Sequence, residues 1–155
     1  KVVVRAHSRI ESMVDRLPPR LEQFARSLIP TRECYESIAQ QAKTYGCKAV
    51  PALAAALAGN SNATLRKVAA RALGLVDSLD SLPLLTRAVR EDPDSGVRND
   101  ATLALGWMTC PRATPALVDA LTHDPEPYVR QNAADALRVL QDKRAFPALA
   151  AAVQA

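Results

Sequence analysis

Two histidines, three cysteines and sixteen Asp and Glu carboxylates are the side chains on which metal, acid–base or thiol chemistry would have to be built in this 155-residue chain. A metal site needs several such ligands drawn together, and a nucleophilic site needs a thiol or hydroxyl beside a base. His7 lies in an irregular N-terminal stretch, and His123 lies in a turn just before Asp124. The two therefore form no matched pair of metal ligands. Cys34, Cys47 and Cys110 form no CxxC pair and no Cys/His cluster. If Cys34 and Cys47 lay near the ends of one helix they would be about 20 Å apart, too far for a disulfide. Reduced thiols and a cytoplasmic location are expected. No Gly-rich phosphate loop and no G-x-S-x-G elbow occurs, and the five glycines fall at expected helix ends or in turns. The expectation is a protein that is not an enzyme, with no metal and no cofactor.

Cations show order where the chemistry-bearing residues do not. Arg66, Arg98 and Arg130 stand at a constant interval of 32 residues. Such a line could hold an acidic partner. A first-turn Arg in a stack of repeats also bonds readily to turn carbonyls or to an acid of the neighbouring unit, here Asp92 or Asp124, and its even repetition favours that scaffold role.

The same interval governs the elements that carry these residues. Residues 48–79, 80–111, 112–143 and 144–155 align without a gap. Pro51, Pro83, Pro115 and Pro147 form one column; Leu53, Leu85, Leu117 and Leu149 form another; Ala56, Ala88, Ala120 and Ala152 form a third. Fixed-period similarity of this length means stacked supersecondary units, none able to bury its own apolar face. Ala and Leu dominate the apolar residues and aromatics are only 4%, which suits close-packed helices. In each unit a first helix opens around the Pro column, where a missing N–H does no harm. Its buried stripe is Leu53, Ala56 and Leu57, with the same spacing in later units. A breaker follows, ending in Asn62, Asp94 or Glu126, each placed to cap a second helix; Pro127 suits the first helical position. The second helices are predicted over about 63–77, 95–108 and 127–141 from their apolar stripes. Residues 1–47 are irregular. Pro19 and Leu21 keep the period, and Ser8 with Glu11, and Thr31, are candidate caps, so a degenerate repeat and about eight or nine helices in all are expected.

The strings VRNDATLALG and VRQNAADALR, each after a DP turn, resemble HEAT repeats, more narrowly the short HEAT-like class associated with phycobilisome bilin lyases. The resemblance implies an all-α fold, an α-α superhelix or solenoid of antiparallel helix pairs. Residues 48–155 make three full repeats and a C-terminal half repeat, continuous with irregular helices over 1–47. It implies a protein-interaction, scaffold or adaptor module that binds a partner on the concave surface formed by its second helices. A bilin-lyase-like chromophore binder and a nucleic-acid-binding solenoid are the alternatives. The iron-binding hydroxylase branch of the family carries paired His-Glu motifs, and this chain lacks them.

Ligand contacts belong in solvent-facing columns, because repeated columns are scaffold. Outside the core stripe of the second helices stand Lys67, Arg71 and Leu75, then Asn99, Leu103 and Trp107, then Gln131, Asp135 and Val139. Leu75, Trp107 and Val139 share a column; they form either an apolar interaction strip or ordinary packing between neighbouring helices. The net charge of +4 could suggest nucleic acid, but residues 1–48 hold nine Lys/Arg against five Asp/Glu while 49–155 hold eleven of each. The repeats are neutral, which does not suit a phosphate track. No stretch of about 18 apolar residues exists for a membrane span. The uncapped half repeat should expose Leu149 and Val153, as in an excised piece of a longer chain, leaving a face for further stacking.

Overall fold

The computed structural model describes residues 43–154. They form seven α-helices: α1 (Val50–Gly59), α2 (Ala63–Val76), α3 (Ser81–Glu91), α4 (Ser95–Trp107), α5 (Thr114–His123), α6 (Pro127–Leu140) and α7 (Phe146–Gln154). Three 3-10 turns, Gly46–Ala49, Pro111–Ala113 and Lys143–Ala145, lead into α1, α5 and α7. The expected helices near Ser8 and Thr31, and the degenerate repeat around Pro19, lie outside the described residues.

The helices alternate as first and second members of the 32-residue unit, and each second helix falls within a residue of its expected span. Pro51 and Pro115 sit in the first two positions of α1 and α5, as their column requires. The Asn62 side chain accepts from the Thr64 N–H at 2.9 Å and the Asp94 side chain from the Val97 N–H at 3.0 Å, so two of the three expected caps form. Glu126 does not cap α6. Caps need a short side chain, and the extra methylene of Glu carries its carboxylate past the first-turn amides. Instead Asp124 accepts the Glu126 N–H at 2.9 Å and rounds the turn.

Each first helix packs on its own second helix, and the second helices pack on one another far more closely than the first helices do. The row α2–α4–α6 is therefore the inner side of the curve. Small residues make this possible. A Cβ placed on Gly74 would lie 2.6 Å from the Ala104 Cβ, inside any real contact distance, and one on Gly106 would lie 3.0 Å from the Ala136 Cβ. Leu53, Leu85 and Leu117 of the first helices and Leu73, Leu105 and Leu137 of the second are fully or almost fully buried. Each buried leucine contributes roughly 1.5–3 kcal/mol. One column is backbone-strained in every unit: Asp77, Thr109 and Gln141 all adopt left-handed φ, of 51°, 45° and 52°. It marks the C-terminal turn of each second helix.

Two members of the arginine line, Arg66 and Arg98, are scaffold, bonded as their spacing suggests. Arg66 grips Asp92 with two bonds, Nε–Oδ2 2.8 Å and Nη2–Oδ1 2.9 Å, and donates Nη1 to the Asn60 carbonyl at 2.9 Å. Arg98 repeats this with Asp124 at 2.8 and 3.1 Å and with the Asp92 carbonyl at 3.1 Å. Each arginine thus ties its own turn to the turn of the following unit. The Asp92 bond raises the Arg66 pKa against the opposing effect of burial, and Asp124 does the same for Arg98. Burial acts to raise the Asp124 pKa, but the Arg98 bonds, the Glu126 N–H and the nearby guanidinium charges outweigh it and hold the carboxyl below its ordinary value.

Candidate functional site

The inner surface is built by α2, α4 and α6, and all nine sequence-nominated residues lie on these helices. They fall into three layers. The N-terminal layer is polar. The Lys67 stem lies over Gly96, where an added Cβ would meet Lys67 Cε at 3.2 Å. One unit on, Asn99 accepts from Asn132 Nδ2 at 2.6 Å, joining α4 to α6. Gln131, the third member of that column, is exposed. Nearby, the Tyr128 hydroxyl donates to Ser95 Oγ at 2.5 Å across the same pair of helices.

The middle layer changes character from unit to unit. Arg71 donates Nη2 to Asp100 Oδ1 at 2.9 Å, an ion pair in which the acid keeps 6% of its side-chain exposure and the base 42%. Asp100 stands in the column of Val68 and Asn132, so a carboxylate occupies a position that is apolar one unit earlier. It stays there because Arg71 reaches it; unpaired, a charge so buried would be expensive. The Arg71 Nε–H is itself buried and has no acceptor. Leu103, in the Arg71 column, is half-buried, while Asp135 is exposed, 3.7 Å from Arg138 Nε.

The C-terminal layer is apolar. Leu75 is half-buried, but Trp107 is 46% exposed and Val139 53% exposed. The first member of the column is thus partly covered, while the other two face water. The side chains that bonding joins are Arg71 with Asp100 and Asn99 with Asn132. Asp100 and Asn132 were not among the nominated residues. The sequence signal for Asp100 was its charge in a column otherwise filled by Val and Asn.

Among the described residues, no group of three or more His, Cys, Asp or Glu side chains could hold a metal ion. No described helix is long and apolar enough to cross a membrane. A search of curated proteins returned no match. The family model for HEAT repeats matches three overlapping segments, residues 32–106, 50–138 and 101–155. Repeats of this kind generally mediate protein–protein interaction or scaffolding. With matches running from residue 32 to residue 155, the chain belongs to the HEAT repeat family.

Proposed function

We propose that this protein is an interaction or scaffold module that binds a protein partner on the inner surface of α2, α4 and α6. The observation that carries the proposal is the exposure of Trp107 and Val139 in a column whose first member, Leu75, is half-buried. A Trp left nearly half in water on a rigid helical surface is of the residue type enriched at binding hot spots, and the valine one unit away adds apolar area beside it. Leu103, one turn before Trp107, widens the apolar floor. Lys67, Arg71, Asn99, Gln131 and Asp135 supply a polar border of both charges, which favours a protein over a nucleic acid. A phosphate track needs free cations in line, whereas Arg71 is already paired with Asp100.

The test is Trp107→Asp. Losing a central aromatic anchor costs about 2 kcal/mol or more of binding, roughly a 30-fold fall in affinity. The expected result is loss of partner capture with helical circular dichroism unchanged and the melting temperature close to that of the parent. Collapse of the fold would place Trp107 in the core and remove the proposed site.

A further inference from the structure

The arginines of the second helices differ in how fully they are bonded, and the comparison singles out Arg71. Arg66 and Arg98 engage all three guanidinium nitrogens, two with a carboxylate of the next unit and one with turn carbonyls. Arg71 engages one. Its Nη2 donates to Asp100 Oδ1 at 2.9 Å, its Nη1 meets no acceptor among the described residues, and its Nε–H is buried without one. The guanidinium is nonetheless anchored, because Asp100 keeps only 6% of its side-chain exposure while Arg71 keeps 42%. A cation held at one nitrogen and open at another is ordered in advance for an anion.

The surroundings of Arg71 define the anion. Arg71 and Lys67 stand on α2, which carries no acidic residue, and both lean onto α4, Arg71 through Asp100 and Lys67 through its stem over Gly96. Lys67 makes no ion pair among the described residues. Asp94, also beside Gly96, is bonded to the Val97 N–H as the cap of α4. With Asp94 held at its cap, the seam between α2 and α4 has two cations against one buried acid, and a single further carboxylate balances it. The rest of the seam is apolar. Leu75, Leu103 and Trp107 line it toward the C-terminal ends of both helices, and Trp107 follows Asp100 by seven residues, two helical turns or about 10 Å. Both walls of this seam are described helices, and α6 of the following unit is described as well.

We infer that the α2–α4 seam takes an acidic–apolar segment of the protein partner. One Asp or Glu side chain of that segment accepts from Arg71 Nη1 beside Lys67, and apolar side chains farther along it cover Leu103 and Trp107. The inference rests on the inner-surface reading above and adds to it a charge and a register. Asp100 is a positioning residue: its carboxylate, in a column otherwise held by Val68 and Asn132, aims the arginine.

The probe is a random dodecapeptide library displayed on phage, selected on the parent protein, on Trp107→Asp, and on a double variant. The double variant, Arg71→Leu with Asp100→Val, installs the residues that the same columns carry at Leu103 and Val68, so both charges go and the fold is kept. Parent selections should enrich an Asp or Glu at a fixed spacing from apolar residues. The double variant should enrich the apolar residues without the acid, and Trp107→Asp should enrich neither. The leading peptide, acetylated, amidated and fluorescently labelled, should bind the parent saturably by anisotropy. Changing its acid to the amide should weaken binding roughly tenfold, and that difference should vanish on the double variant. Peptides lost by Trp107→Asp but indifferent to the acid-to-amide change and to the double variant would overturn this inference and leave the inner-surface reading standing. Peptides unaffected by Trp107→Asp would sink both. No enrichment on the parent, or binding that disappears when the C-terminus is amidated, would count against the side-chain carboxylate site alone.

Discussion

Replacing Arg98 by alanine should destabilise the protein far more than the same change at Arg130, although the two residues share a column. Arg98 makes two charged bonds to Asp124 and reaches the carbonyls of Asp92 and Pro93. Its removal strands a carboxylate with only 4% side-chain exposure, leaving it the Glu126 N–H as partner. Breaking a well-buried pair from one side costs about 3–5 kcal/mol; the 12% exposure of Arg98 and the retained amide bond place this case near 3 kcal/mol. Arg130→Ala loses two bonds to carbonyls and strands no acid, a loss of about 1 kcal/mol. Urea titration reads the difference: with a slope near 2 kcal/mol per molar, the midpoints should fall by roughly 1.5 M and 0.5 M. The gap should depend on pH with a definite sign. The Asp124 pKa lies below 3.8 in the folded protein, so its contribution is fully present above about pH 4 and is lost as pH falls through the folded value. Without Arg98, burial is opposed only by the Glu126 N–H and the Arg130 charge, so the Asp124 pKa rises from its value in the parent protein. The Arg98→Ala deficit should therefore be large at pH 7 and shrink near pH 3. Equal midpoints for the two variants, or a deficit independent of pH, would refute the account of the clamp.

Three further effects are expected from thermal or urea unfolding. Gly74→Ala should destabilise by roughly 1–2 kcal/mol, because its Cβ would lie 2.6 Å from the Ala104 Cβ and overpacking exceeds the helix-propensity gain. Gly106→Ala, whose nearest contact is 3.0 Å, should be close to neutral. Asn62→Ala and Asp94→Ala should each cost about 1 kcal/mol, whereas Glu126→Ala should cost almost nothing, since only the first two side chains cap a helix. Thr109→Gly should stabilise by about 1 kcal/mol, because a β-branched residue is held at φ 45°.

Much of this fold was legible in the sequence because repetition averages over local ambiguity. Helix spans, the Asn62 and Asp94 caps and the Arg66–Asp92 and Arg98–Asp124 clamps all follow from columns, whose members share an environment. What a column does not encode is how far the next unit overlies each member. Leu75 and Trp107 occupy equivalent positions, yet one is half-buried and the other is nearly half exposed. Glu126 looked like a cap by position, and one methylene decided otherwise. The position of Asp100 in its column does not show its burial, which only the reach of Arg71 from the neighbouring helix explains.

The most direct test of an interaction surface on α2, α4 and α6 is affinity capture from the source cell with the parent protein and Trp107→Asp side by side, at matched folded concentration. A specific protein partner retained by the parent and lost from the variant, with both melting alike, is the predicted result. The same partner held equally by both, or a variant that unfolds, would contradict it.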